Sequence, residues 1–141
     1  MKRVFIAITL LLTCNILLAQ NPKKKDTKII VTPVDTTDLL TKVTLALFKQ
    51  GYQPDYKDEK AGIIITKVKE FNTYNVKINI LVVSSTITIT GQANFFNFIT
   101  GKKDTTFEDI RYSGMKGSDM MLSWNELDKL AKSFGPVRYS K

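Results

Sequence analysis

The stretch that most constrains this chain runs from Tyr74 to Phe95 and reads YNVKINILVVSSTITITGQANF. Tyr74, Val76, Ile78, Ile80 and Val82 share one parity, with Asn75, Lys77 and Asn79 between them. After Ser84-Ser85 the alternation resumes, with Ile87, Ile89, Ala93 and Phe95 set against Thr86, Thr88, Thr90, Gln92 and Asn94. Successive side chains of a strand point to opposite faces, so a period of two predicts two strands with one buried and one wet face each. A chain holding such a hairpin must find something apolar to cover one side of it.

The first residues carry a different signal. Lys2 and Arg3 precede an apolar run from Val4 to Leu18, and Ala19 offers a small residue before Gln20. Residues 1–19 thus have the organisation of a signal peptide, which implies export to the periplasm or cell surface with cleavage after Ala19. The run is too short to make a convincing membrane span. A lipoprotein anchored at Cys14 is the alternative, since Leu11-Leu12-Thr13-Cys14 loosely matches a bacterial lipobox. Thr13 stands where that motif wants Gly, Ala or Ser.

Cys14 is the only cysteine, so a chain cleaved after Ala19 forms no disulfide and depends on a packed core. Without Lys2 and Arg3, the 21 basic residues become 19 against 13 acidic, a net charge of +6. Residues 20–27, with Lys23, Lys24 and Lys25, read as a basic disordered leader that can touch an anionic membrane surface weakly. The rest, 28–141, reads as a single domain.

Along that domain the pattern predicts β-α-β-β-β-β-(β)-α. Lys28–Val34 is a first strand that Pro33 ends or places at a sheet edge. Asp35 or Thr36 is the expected cap of a helix reaching about Gln50, with Leu39, Leu40, Val43, Ala46 and Leu47 as its apolar stripe. Asp38 in its first turn, Lys49 in its last and Gly51 just beyond suit the helix dipole and a left-handed C-cap. Tyr52–Tyr56, Ile63–Phe71 and the long hairpin form an antiparallel meander, and Thr105–Tyr112 is a further short strand. Ser123-Trp124-Asn125-Glu126 reads as a capping box, with Leu122 and Leu127 as its staple. Trp124, Leu127, Leu130, Ala131 and Phe134 make the apolar face of that last helix, and Gly135-Pro136 stops it. The expected fold is an α+β two-layer sandwich, an antiparallel meander of about five strands with two helices on one face.

The inventory of reactive groups is thin. The chain has no histidine, and no cysteine follows residue 14. Ser-His-Asp and Cys-His nucleophiles and the usual zinc, copper and haem ligand sets are therefore not expected, and neither is a cofactor. No glycine-rich nucleotide cradle occurs. Glu108 and Asp109 would point to opposite faces of a strand, and Asp55, Asp58 and Glu59 lack the spacing of a calcium loop. Ser118 beside Lys116 makes no persuasive dyad. The expectation is a protein that is not an enzyme.

Two stretches have the composition of binding surfaces. Phe96 and Phe98 crowd apolar surface beside Lys102 and Lys103, and with the polar parity of Thr86, Thr88, Thr90 and Gln92 they are the expected partner surface. Gly114, Lys116, Gly117 and Ser118 form a loop whose backbone amides could receive an anion. Basic and aromatic residues together can also bind single strands, but an exported chain argues against nucleic acid.

The LLAQ signal end, the Lys- and Asn-rich composition and the closing SWNELDKLAKSFG resemble small secreted proteins of Bacteroidetes-type bacteria. The helix followed by GYQPDYKDEKAGIIITK is similar to the helix and hairpin of BamC-like periplasmic domains and of TBP-like domains. That resemblance implies a helix-on-sheet fold and a non-catalytic envelope role, and it transfers no site residue. The reading is thus an exported, non-enzymatic domain that binds a protein or envelope component. The alternative is a carrier or sensor of a small apolar or anionic ligand held between helices and sheet.

Overall fold

In the computed structural model, which describes residues 20–141, the alternating stretch becomes a ten-pair antiparallel hairpin. Strand β5 (Tyr74–Val83) pairs with β6 (Thr86–Asn97) from Tyr74↔Phe95 to Val83↔Thr86. The expected signal segment, including Cys14, lies outside the described residues.

The other elements are β1 (Lys28–Val31), α1 (Leu39–Lys49), β2 (Pro54–Asp58), β3 (Ile63–Thr66), β4 (Lys69–Glu70), β7 (Lys102–Lys103), β8 (Glu108–Asp109), α2 (Asp119–Lys132) and β9 (Val137–Ser140). The sheet order is β2-β3-β5-β6-β1-β9, and every pairing is antiparallel. The expected meander is therefore present as β2-β3-β5-β6, with β2 at its edge as Pro54 requires. The chain's first strand does not sit at an edge. It lies between β6 and β9, and Pro33 falls beyond its end.

Register explains the core. Tyr139, Ile29, Ile89, Ile80 and Ile64 stand directly opposite one another across five strands, and all are buried. This row packs in one cluster with Leu39, Val43 and Leu47 of α1 and with Trp124, Leu127, Leu130 and Ala131 of α2. Burying each large aliphatic side chain of that row contributes about 1.5–3 kcal/mol. Both helices thus cover the same parity of the sheet. Gly91 occupies that parity opposite Ile78, and a Cβ there would lie 2.9 Å from Ile110 Cδ1 and 3.0 Å from Leu127 Cδ2. The missing side chain is what lets α2 seat on β6.

Several local expectations are corrected. Asp35 does not cap α1, because its Oδ1 accepts from the Thr37 amide (2.9 Å) and hydroxyl (2.6 Å) while Oδ2 takes Lys42. The helix starts only at Leu39, after Asp38 in a left-handed conformation that makes no side-chain cap. Its other end is as expected. Gly51, at φ 78°, donates to Phe48 O, and Tyr52 donates to Leu47 O, which is a Schellman closure.

Helix α2 begins five residues before the expected capping box. Ser118 is the N-cap and accepts from the Met121 amide at 3.2 Å. Ser123 lies inside the helix, fully buried, and donates to Asp119 O at 2.8 Å. Glu126 reaches Tyr52 rather than back along its own helix, and Leu122 is exposed rather than stapling.

The sheet also gains strands. The expected Ile63–Phe71 strand is broken into β3 and β4, of Thr105–Tyr112 only Glu108–Asp109 pairs, and β7 and β9 are additions. Residues 23–27 form a docked turn where a free leader was expected. Lys25 N donates to Tyr112 O, Tyr112 N to Asp26 O and Thr27 N to Ser140 O, while the side chains of Lys23, Lys24 and Lys25 stay exposed.

Ser118→Ala should lower stability by about 1 kcal/mol as a lost cap. Ser123→Ala should cost less than ~0.5 kcal/mol, because a back-bonded helical hydroxyl adds little. Urea midpoints of the two variants check the order, and a larger loss for Ser123→Ala would restore the capping box.

Candidate binding surface

The parity that the helices leave uncovered is not uniformly polar. Strand β3 is IIIT, so Ile64 enters the core while Ile63 and Ile65 emerge on the other face. Register then lines up Asp58, Ile63, Leu81, Thr88, Ile30 and Arg138 in one row across the sheet. A second row joins Tyr56, Ile65, Asn79 and Thr90. Ile63, Ile65, Asn79, Leu81, Thr88 and Thr90 surround a shallow depression of about 300 Å³. Leu81 is 40 % exposed, and Tyr56 and Val83 near it are exposed by more than half.

Of the residues expected on this surface, Thr86, Thr88 and Thr90 are on the uncovered face and half-buried. Gln92 faces Asp109 of β8, its amide 3.4 Å from Asp109 Oδ1. Asn94, read as outward, is buried, and its amide donates to Asp104 O at 2.7 Å. The open part of the polar parity therefore ends near Thr90.

Phe96, Phe98, Lys102 and Lys103 share the β6–β7 hairpin, where Phe96 pairs with Lys103. The rings of Phe96 and Phe98 meet edge to face at 5.1 Å. Lys103 turns inward and donates to Phe71 O at 2.6 Å and Asn75 Oδ1 at 2.7 Å. At ~3.3 Å per residue, Thr88 and Asn97 are about 30 Å apart along β6. The expected partner surface is two separate places.

The loop Gly114, Lys116, Gly117 and Ser118 is folded on itself. Ser118 donates both its amide (3.2 Å) and its hydroxyl (2.9 Å) to Met115 O, and the Met115 amide donates to Ser113 Oγ. Asp119 occupies the first turn of α2 and already complements the positive end of its dipole. An anion arriving there would meet a carboxylate.

Sequence reasoning missed a half-buried cluster between α1, α2 and β4. Tyr52 donates to Glu126 Oε2 at 3.1 Å, and Lys69 Nζ lies 3.6 Å from the same oxygen. Lys69 also donates to Gln50 O at 2.8 Å and sits 4.5 Å over the Tyr52 ring and 4.8 Å over the Phe71 ring. The residues lie up to 76 positions apart in the sequence (Gln50 to Glu126), so no local spacing announces them. Tyr52, Lys69 and Glu126 partner one another, which fastens the end of α1 to α2, while the buried Gln50 Oε1 beside them has no hydrogen-bond partner.

Burial, and then the Glu126 charge, push the Tyr52 phenol far up, and burial raises Tyr74 in the same way. Burial and the Asp128 carboxylate, which accepts the Tyr139 hydroxyl at 2.7 Å, raise Tyr139. A second surface groove, about 470 Å³, runs past Val34, Leu39, Leu45 and Phe134, with Lys42 and Lys49 on its rim. Among the described residues no helix is long and apolar enough to cross a membrane.

Compared with known families and proteins, the chain matches no protein-family model and no curated protein.

The tyrosine shifts predict an alkaline limit. Raised phenol values favour the neutral form in the fold, so their stabilisation is intact below the ordinary value of about 10 and is lost as pH rises through the folded-state values. The urea midpoint should fall above pH ~10, and less steeply in Tyr52→Phe. An equal slope in the variant would contradict this.

Proposed function

We propose that this chain is a non-enzymatic exported domain whose uncovered sheet face binds a protein or envelope component. The observation that carries this reading is the apolar strip of Ile63, Ile65 and Leu81 set among Thr88, Thr90 and Asn79, on a face that no element covers among the described residues. Binding patches combine such apolar centres with a polar surround. The reactive residues argue the same way: the Tyr52–Lys69–Glu126 cluster is occupied with its own hydrogen bonds and stacking. The resemblance of its helix and hairpin to BamC-like envelope domains agrees with a non-catalytic envelope role.

The alternative, carriage of a small apolar or anionic ligand, finds support in the groove beside α1, which Lys49 also lines, while Lys42 there is already paired with Asp35. The space between helices and sheet is filled by Trp124, Ile78, Ile80, Leu127 and Leu130. A carrier would therefore use the outer groove.

A photo-crosslinking residue at Thr88, with one at exposed Lys129 on α2 as control, tests the leading reading in an envelope extract. A discrete product from Thr88 and none from Lys129 is expected. Products from both sites alike, or from neither, would overturn it.

A further inference from the structure

The β6–β7 hairpin ends in a tip that exposes its apolar residues and pairs three of its backbone amides internally. Phe98 is 79 % exposed and Ile99 96 %, which makes Ile99 the most exposed large apolar residue among those described. Such exposure in two consecutive residues costs solubility without helping the core. The tip is nevertheless built, not frayed. Asn97 Oδ1 accepts from the Ile99 amide at 2.9 Å and the Thr100 amide at 3.2 Å, and Asn97 O accepts from the Gly101 amide at 2.9 Å.

These bonds matter for where the tip can go. A backbone donor entering apolar surroundings unpaired is costly, and three of the tip's donors already have partners inside it. The hairpin is also held firmly at its base. Phe96 N donates to Thr73 O, Asp104 N to Phe95 O, and Lys103 is tied to Phe71 O and Asn75 Oδ1. A rigid base carries an apolar point with three of its amides already paired.

Charge selects the partner. Lys102 is exposed directly behind the tip, and Asp104 at the base is the hairpin's one acidic residue. The loop before α2 adds exposed Met115 and Lys116 at this end of the domain, since Asp119 Oδ1 accepts from the Thr73 hydroxyl at 2.8 Å. Apolar side chains leading, with ammonium groups one step behind, match the layering of acyl chains beneath anionic headgroups. We infer that the Phe98–Ile99 tip inserts into the interface of an anionic lipid bilayer, with Lys102 and Lys116 against the headgroups.

This site is independent of the sheet face and about 30 Å from it along β6, so either can fail alone. The test uses the full chain and phosphatidylcholine vesicles with or without phosphatidylglycerol, read by co-sedimentation. Phosphatidylglycerol should strengthen binding, and Phe98→Ser with Ile99→Ser should weaken that added binding at least about tenfold. Lys102→Gln with Lys116→Gln should weaken it at low salt and matter less at high salt. Residues 4–18 are the same in all forms, so any difference between them reads the tip. In a second measurement, Phe98→Trp should shift its emission to the blue on adding vesicles, against a buried and constant Trp124. Equal binding of the Ser variant, or no emission shift, would overturn the inference. An emission shift produced by an envelope protein and not by vesicles would assign the tip to a protein partner and overturn it equally.

Discussion

The ten-pair register between β5 and β6 is what every other element depends on. Because side chains alternate with a period of two, a slip of one residue would turn Val76, Ile78 and Ile80 to solvent and bring Lys77 and Asn79 under the helices. The two-residue turn at Ser84-Ser85, with Ser84 at φ 52°, sets that register. On it rests the buried row from Tyr139 to Ile64, and on the row rest both helices. Gly91 is the point where α2 reads the register, since one residue of slip would put Thr90 or Gln92 beneath Leu127.

The parts of the fold legible in the sequence were those dictated by period. Alternation announced β5 and β6, the stripe of Leu39, Val43 and Leu47 announced α1, and Pro54 announced an edge strand. The parts that were not legible turn on competition for polar groups. Asp35 had the right identity for a cap, but Thr37 and Lys42 take its carboxylate first. Ser123 and Glu126 had the right spacing for a capping box, yet Ser118 lies five residues earlier with the same chemistry and an acidic first turn. Strand β9 is four residues long after a Gly-Pro stop, and only the alternation of Val137 and Tyr139 with Arg138 and Ser140 hints at it. The docking of residues 23–27 depends on Tyr112 and Ser140, which no local pattern connects to Lys25 and Thr27.

The surfaces were legible in composition and not in extent. The threonines of β6 were readable as outward, but their neighbours on β3 and β5 make the face amphipathic. Three consecutive isoleucines at 63–65 in a sheet covered on one side must place one parity outside, and that signal was present in the residues. Distance was not. Lys103 reads in the sequence as part of the surface beside Phe98, whereas Phe71 O of the β4–β5 turn and Asn75 Oδ1 of β5 bind it inward. The hairpin tip and the sheet face are thus separate devices carried by one strand.

The central claim is that one parity of this sheet is sealed by two helices and the other is open to a partner. Single cysteines placed in turn from Thr86 to Thr90, with Cys14 replaced by Ser, measure this by their rates of thiol labelling. The account predicts alternation: fast labelling at 86, 88 and 90, and labelling at 87 and 89 only as fast as the fold opens. Labelling that varies smoothly along the strand, or alternates with the opposite phase, would contradict it.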